Sequence, residues 1–435
     1  MTTALPGPPA LVHVSGVGGV GMNAVAQLLL ARGYRVSGSD RFADQGVHLP
    51  VLDALLALGV DLVPQDGRAI TDETAALVLS TAVESTNPER VRAAALQVPE
   101  IHRSAVLSHC AAGGRLAAIA GTSGKTTCTG WLGRVLEVCG LDPTVVNGGG
   151  VLNWKSARRP GNVRLGEDPA GWWVVEVDES DGSLLGFHPE VALITGMSPD
   201  HHSAAETLDL FRRFARQVSR TIVCGPGVKA VLENTPGIRA RLVEAEAEIS
   251  VDLPGAHNAR NAASVVAMAE ACGAAGSAAR EALGSFAGVE RRLERCTPAR
   301  APVQVYDDYA HNPEKIAAAI QAVRPEGGRL TVCWRPHGFT PLRQNFEALR
   351  DAFVTNLRPR DRAVIFPVFY AGGIVPDGPE GADFAQALQA AGVAAQFLPD
   401  YPETLCMETG DVLLVTGARD PELPRFAARM AALFT

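Results

Sequence analysis

The run Gly121-Thr122-Ser123-Gly124-Lys125-Thr126-Thr127 brings together the groups that a nucleoside triphosphate requires. Its glycines let backbone N–H groups close around phosphate oxygens, and a helix opening directly behind them adds a favourable dipole. A lysine here reaches β- and γ-phosphates, and the Thr126 hydroxyl is the expected Mg²⁺ ligand. The full G-x-x-x-x-G-K-[ST] pattern asks for glycine where this chain has Ile119. A merely tight turn leaves Lys125 and both threonines unexplained, so ATP binding is the stronger reading. Lys125 is expected to face solvent from this loop.

Carboxylates follow in Glu176-Val177-Asp178-Glu179-Ser180-Asp181, at the end of the apolar run WWVVEV. Such groups at the carboxyl end of a strand stand where α/β sheets bind ligands, and their hard oxygens suit Mg²⁺. For Asp178 and Asp181 a solvated face is the competing reading. Ser198-Pro199-Asp200-His201-His202 follows the strand-like VALIT, which places it on the same rim. Gly255-Ala256-His257-Asn258 and Asn261 open a helix with polar groups suited to a base or ribose. Arg291, Arg292 and Asp307-Asp308-Tyr309-Ala310-His311-Asn312-Pro313 add cations, paired aspartates and a histidine after the run VQVY.

A second glycine turn lies near the start. Gly16-Val17-Gly18-Gly19-Val20-Gly21 fits G-x-G-x-x-G, and Asp40 stands where a dinucleotide site puts its ribose carboxylate. Two alternatives stay open: a turn without ligand, or one holding the diphosphate of another nucleotide, with Asp40 near its base or sugar.

The elements that must position these groups alternate between strand and helix. A strand at 11–14, a helix at 22–32 and a strand at 34–37 form one βαβ unit, and another strand falls at 77–80. The second start, at 116–135, repeats strand, glycine turn and helix, with strands at 172–177, 191–195 and 221–224 and a helix at 257–272. A third series has strands at 303–306, 330–334, 363–368 and 412–416, and helices at 313–323, 343–356, 383–391 and 423–433. Three α/β domains are expected, over 1–106, 107–296 and 297–435. Length agrees, since 435 residues at about 150 per domain give about three.

Composition narrows the class. A hydrophobic share of 47% supports sizeable cores. The net charge of −8, with scattered cations, argues against a nucleic-acid partner. Eight cysteines without metal-type spacing read as reduced core thiols in a cytoplasmic protein. The uncharged stretch Leu11–Ala31 is interrupted by four glycines and reads as a nucleotide turn, not a membrane span.

Taken in order, GVGGVGM, GTSGKTT, EVDESDGSL, PDHH, GAHNARNA, GVERRLE and DDYAHNP resemble the Mur ligase family across essentially the whole chain. The similarity is greatest to the branch that recognises UDP-N-acetylmuramate. It implies a UDP-sugar-binding Rossmann-like domain, a central ATPase domain and a C-terminal α/β domain that carries the incoming amino acid. The implied reaction is ATP-dependent amide formation on a UDP-sugar carboxylate through an acyl phosphate, in peptidoglycan precursor synthesis. Gly16, Gly18, Gly19, Gly21 and Asp40 are then the UDP-sugar site. Gly121, Thr122, Ser123, Gly124, Lys125, Thr126 and Thr127, with His257, Asn258, Asn261, Arg292 and Asp308, face ATP. Thr126, Glu176 and His201 are the Mg²⁺-linked positions, and His311 lies close to the incoming amine. Lys125, Glu176, His201 and His311 are therefore the expected catalytic set.

The chain also departs from the family. No lysine occurs between His201 and Lys229, where some members carry a carbamylated one, and only 54 residues separate Asp200 from Gly255. The alanine-adding pattern His-Arg-Tyr-Thr-Arg-Thr-Arg is replaced by His337-Gly338-Phe339-Thr340-Pro341-Leu342-Arg343. Gly338 and Pro341 offer no cation to an amino-acid carboxylate, and Gly338 is expected to open space for a different amine or a peptide. Arg335 and Arg343 flank the segment as replacements. A peptide-adding relative is the alternative within the family, and an NAD-dependent oxidoreductase the remote one outside it.

Overall fold

A computed structural model of the chain describes residues 5–197, 203–245, 248–370 and 378–435. It is mixed α/β, with three sheets. Compact packing divides the chain into two units: Met1–Val251 with Ala259–Gly288, and Asp252–Asn258 with Val289–Thr435.

The first unit holds two sheets. One comprises β1 (Leu11–Ser15), β2 (Arg35–Ser39), β3 (Asp61–Leu62), β4 (Thr74–Leu79) and β5 (Glu100–His102), all parallel, in the order β3-β2-β1-β4-β5. Strand order reverses beside β1, so the glycine turn that follows it sits at the crevice where doubly wound sheets take ligands. The second sheet contains β6 (Arg115–Ala120), β7 (Thr144–Val146), β8 (Val163–Arg164), β9 (Trp172–Glu176), β10 (Val191–Ile194), β11 (Thr221–Cys224) and β12 (Arg241–Glu244). Its order is β12-β11-β10-β6-β9-β7-β8, with β8 alone antiparallel. Central β6 ends at the phosphate loop, with β9 and β10 on either side.

One apolar core joins these sheets, running from Val12 and Val14 of β1 to Ala118, Val175 and Ile194. A polar bridge reinforces it. Asn162 Nδ2 donates to Asn23 Oδ1 at 2.6 Å and to the Val20 carbonyl at 3.0 Å, and Gln27 donates to Asn162 at 3.1 Å. Another buried polar group lies under the first glycine turn, where His13 meets Glu89 and Ser37, each at 2.8 Å.

The second unit contains β13 (Glu294–Arg295), β14 (Gln304–Asp308), β15 (Leu330–Trp334), β16 (Arg362–Ile365), β17 (Ala394–Phe397) and β18 (Val412–Thr416). Their order is β13-β14-β18-β15-β16-β17, with β13 antiparallel. The helix Pro313–Ala322 packs on one face through Ile316 and Ile320, and Glu422–Ala432 on the other through Phe426 and Met430. The helix expected from 343 begins at Phe339, because proline is tolerated in a first turn, where its missing N–H has no partner to lose.

All eight cysteines are free thiols, and Cys406 is the exposed one. Burial pushes Cys128, Cys224, Cys272 and Cys333 up to about 12. Among the described residues no helix is long and apolar enough to cross a membrane.

Candidate active site

The phosphate loop takes its shape from two glycines. Gly121 has φ +124° and Gly124 φ +82°, conformations that side chains resist. A Cβ at Gly121 would collide with the Thr195 hydroxyl, which itself donates to the Ser123 carbonyl at 2.6 Å. Gly124 opens the helix Lys125–Val138, and no side chain caps that end. The amides of its first turn are the kind of donors that favour an anion. Asn261 lies against Gly124, where an added Cβ would come within 3.1 Å of its Oδ1.

Lys125 is not the solvent-facing residue expected from the sequence. Its Nζ donates to the Gly121 carbonyl at 2.7 Å and to both Glu179 oxygens at 2.9 and 2.7 Å. The lysine side chain is 16% exposed and that of Glu179 5%. The loop's own charge thus already has a buried carboxylate opposite it. Glu179 belongs to the acidic run, but its sequence position gave no sign of this pairing.

Thr126 and Glu176 meet directly. The Thr126 hydroxyl donates to Glu176 Oε1 at 3.0 Å, and Glu176 Oε2 accepts from the Gly148 N–H at 2.8 Å. Glycine is needed at 148, since a Cβ would strike that carboxylate. A hydroxyl and a carboxylate side by side are hard oxygen donors, and they fit Mg²⁺, which takes one or two protein oxygens together with phosphates and water. Asp200, His201 and His202 lie outside the described residues. Among the described ones, no group of three His, Cys, Asp or Glu gathers around a point.

Glu176 also faces the first glycine turn across a cavity of about 350 Å³. Its lining includes Gly19, Gly21, Arg103, Asn147, Gly148 and Asp178. Arg103 reaches Asp178 at 3.2 Å and Asp181 at 3.4 Å. These two aspartates therefore hold an arginine rather than forming a solvated face. Burial opposes ionisation of Asp178, yet hydrogen bonds from Ser180 and the charges of Lys125 and Arg103 hold it below the usual carboxylate range. Sequence reading missed Arg103 because the strand before it has only three residues. In the first turn, the Gly18 N–H donates to Asp40 Oδ2 at 3.0 Å, and Asp40 Oδ1 caps the next short helix through the Phe42 N–H. Burial raises the Asp40 pKa, those two hydrogen bonds opposing it.

The remaining candidates belong to the second unit, apart from Asn261. Asn258 donates to the Pro254 carbonyl at 2.8 Å, and His257 lies beside Gly255. Asp308 accepts from the Leu293 N–H at 2.8 Å and the Ala310 N–H at 2.7 Å, so it organises two loops. Burial raises its pKa, and raises that of Asp307 to about 7 although Arg291 lies 3.1 Å away. Arg291 and Arg292 both lie over the Tyr309 ring. His311 donates from Nδ1 to the Tyr309 carbonyl at 2.9 Å, which leaves Nε2 as its basic nitrogen. Its ring meets His337 edge-on at 4.9 Å.

Around His337, Gly338 adopts φ +76° and ψ 136°. Glycine there serves a backbone shape that other residues resist, and the space expected from it is bounded by Pro341, 3.2 Å from an added Cβ. Arg335 is engaged inside the fold, 2.7 Å from Asp420 and 3.1 Å from the Tyr401 hydroxyl.

Comparison with known proteins agrees with this architecture. Residues 11–115 match the model described as Mur ligase family, catalytic domain, and residues 291–419 the one described as Mur ligase, glutamate ligase domain. The UDP-N-acetylmuramate–L-alanine ligase of Burkholderia multivorans is 32% identical, over 94% of this chain and 95% of its own. The crystal structure of UDP-N-acetylmuramate-alanine ligase from Thermotoga maritima shares the fold with a TM-score of 0.78, 24% identity and 98% coverage of both chains. A murein peptide ligase from Psychrobacter arcticus has a TM-score of 0.68 at 20% identity, again over 98% of both. In sequence and in fold, from one end to the other, this chain belongs to the Mur ligase family.

Proposed function

We propose that the protein is an ADP-forming ligase that joins the carboxylate of UDP-N-acetylmuramate to the amine of an amino acid, in peptidoglycan precursor synthesis. The carrying observation is the cavity whose walls are the first glycine turn and Glu176. A sugar nucleotide whose diphosphate rests on Gly16, Gly18, Gly19 and Gly21 can extend its acid through that cavity toward the phosphate loop. Asp40 then serves by shaping the turn.

When bound, Mg²⁺ would neutralise negative charge on the reacting groups. Thr126 and Glu176 would hold it, with His201 as the third position. The loop amides and Lys125 orient the triphosphate, and Arg103 offers a cation to the sugar acid. Transfer of the γ-phosphoryl group gives an acyl phosphate and ADP; attack by the acceptor amine then releases phosphate. Fixed cations serve this step because two anions must meet. The family resemblance assigns His257, Asn258, Arg292 and Asp308 to the nucleotide and His311 to the amine.

The same reading assigns 1–106 to the UDP sugar, 107–296 to ATP and 297–435 to the acceptor. A cytoplasmic setting follows, where free thiols stay reduced. The relatives' names favour L-alanine as acceptor. Phosphate release should require ATP, Mg²⁺, UDP-N-acetylmuramate and an amine together. Release that ignores the sugar nucleotide would remove this reading.

A further inference from the structure

The third sheet has a rim of its own. Pairing of Asp308 with Thr416, and of Trp334 with the same Thr416, brings the ends of β14, β18 and β15 level. The chain after β14 leads into Pro313–Ala322 on one face, whereas the chain after β18 leads into Glu422–Ala432 on the other. A crevice between strands whose connections diverge in this way is where open α/β sheets bind ligands. His311 follows β14 and His337 follows β15.

Arg419 follows β18, between them. It is exposed, and it holds φ +65°, a left-handed conformation that costs an arginine free energy and a glycine none. Strain of this kind persists where the surrounding structure has a use for it. Arg335, which follows β15 on the same rim, is already engaged by Asp420 and Tyr401. Gly338 and Pro341 bring no charge. Arg419 itself has no ion pair with a described residue, yet its charge reaches His337 and helps hold that imidazole down at about 4, after burial and His311. His337 is thus neutral beside the guanidinium at physiological pH.

Given the ligase reading above, we propose that Arg419 grips the α-carboxylate of the acceptor amino acid, with its amine directed toward His311. A guanidinium fork matches a carboxylate bidentately, and Arg419 stands on the central loop of that rim, between the strand ends that carry His311 and His337. The site therefore takes an α-amino acid, or a peptide through its free carboxylate.

The test is steady-state phosphate release with L-alanine and with L-alaninamide, which lacks the carboxylate. Arg419→Gly should raise the KM for L-alanine about ten- to a hundredfold, the loss expected for charge-assisted hydrogen bonds. The KM values for ATP and UDP-N-acetylmuramate should stay at parental values. Preference for L-alanine over L-alaninamide should disappear, and Arg419→Lys should restore part of it. Glycine accepts φ +65°, so the melting temperature should not fall. An unchanged L-alanine KM in Arg419→Gly overturns the proposal, as does transfer of the effect to Arg343→Ala. If the parent enzyme releases no phosphate with any acceptor, the ligase reading itself fails, and this assignment falls with it.

Discussion

The phosphate loop and the rim of the third sheet use the same position in an α/β sheet but balance charge differently. At the phosphate loop Lys125 is met by a buried carboxylate, Glu179, at 2.7 Å. At the third rim Arg335 is met by Asp420, whereas exposed Arg419 has no ion pair with a described residue. The first arrangement keeps a strong cation folded and dry. The second leaves one cation facing outward in a strained backbone. On the proposed assignments, a ligand at the loop must displace an internal partner, whereas one at the rim meets an exposed charge.

The largest effect should come from Lys125→Ala. Removing a charge aimed at the transferring phosphoryl group should lower kcat about 10²-fold or more, read as phosphate release. It should also cost stability, on the order of 3 kcal/mol, because Glu179 stays buried without the lysine's opposing charge. An unchanged urea midpoint would show that the pair does not balance the loop. Next in size, Glu176→Gln should raise the Mg²⁺ concentration for half-maximal rate about tenfold, since it weakens a hard oxygen donor beside Thr126. Superimposable Mg²⁺ titrations would detach Glu176 from the metal.

Glu179→Gln sharpens the contrast in the opposite direction. With Glu179 no longer competing for Lys125, the KM for ATP should fall about three- to tenfold, at 1.4 kcal/mol per decade. A rise in KM would mean that Glu179 holds the lysine in place rather than competing for it. The smallest effect concerns His337, which burial, His311 and Arg419 hold at about 4. The unfolded chain takes up this proton near 6.5, the folded chain only near 4, so stability falls as pH drops through that window. His337→Gln should flatten that part of the loss, seen as a smaller shift in urea midpoint between pH 7 and 4.5. An identical shift in parent and variant would mean that the imidazole is not held neutral.

Much of the fold was legible because its signals are local. Alternating apolar runs and glycine turns mark β1, β6, β14 and the helices behind them, and GTSGKTT marks its own loop. What was missed is short or long-range. β5 has three residues, too few for a pattern, yet it delivers Arg103 to the cavity. The helix Ala204–Gln217 carries a capping box between Ser203 and Glu206, a local signal that was available but not used. Glu179 stood in the quoted acidic run, but only tertiary packing across 54 positions shows it facing Lys125. Arg419 carried no motif at all, since a left-handed φ cannot be read from residue type when the residue is not glycine.

The distribution of thiols has a practical consequence. With Cys406 exposed and Cys128, Cys224, Cys272 and Cys333 held near 12, an alkylating reagent at pH 8 meets very unequal targets. Moving a thiol from 9 to about 12 cuts its thiolate fraction by roughly three decades, before steric shielding is counted. Reagent uptake should therefore begin at Cys406 and reach the buried sulfurs only as the chain opens. Counting modified cysteines by mass spectrometry against time turns the protein into its own unfolding clock, with Cys128 reporting from the helix behind the phosphate loop and Cys333 from the centre of the third sheet.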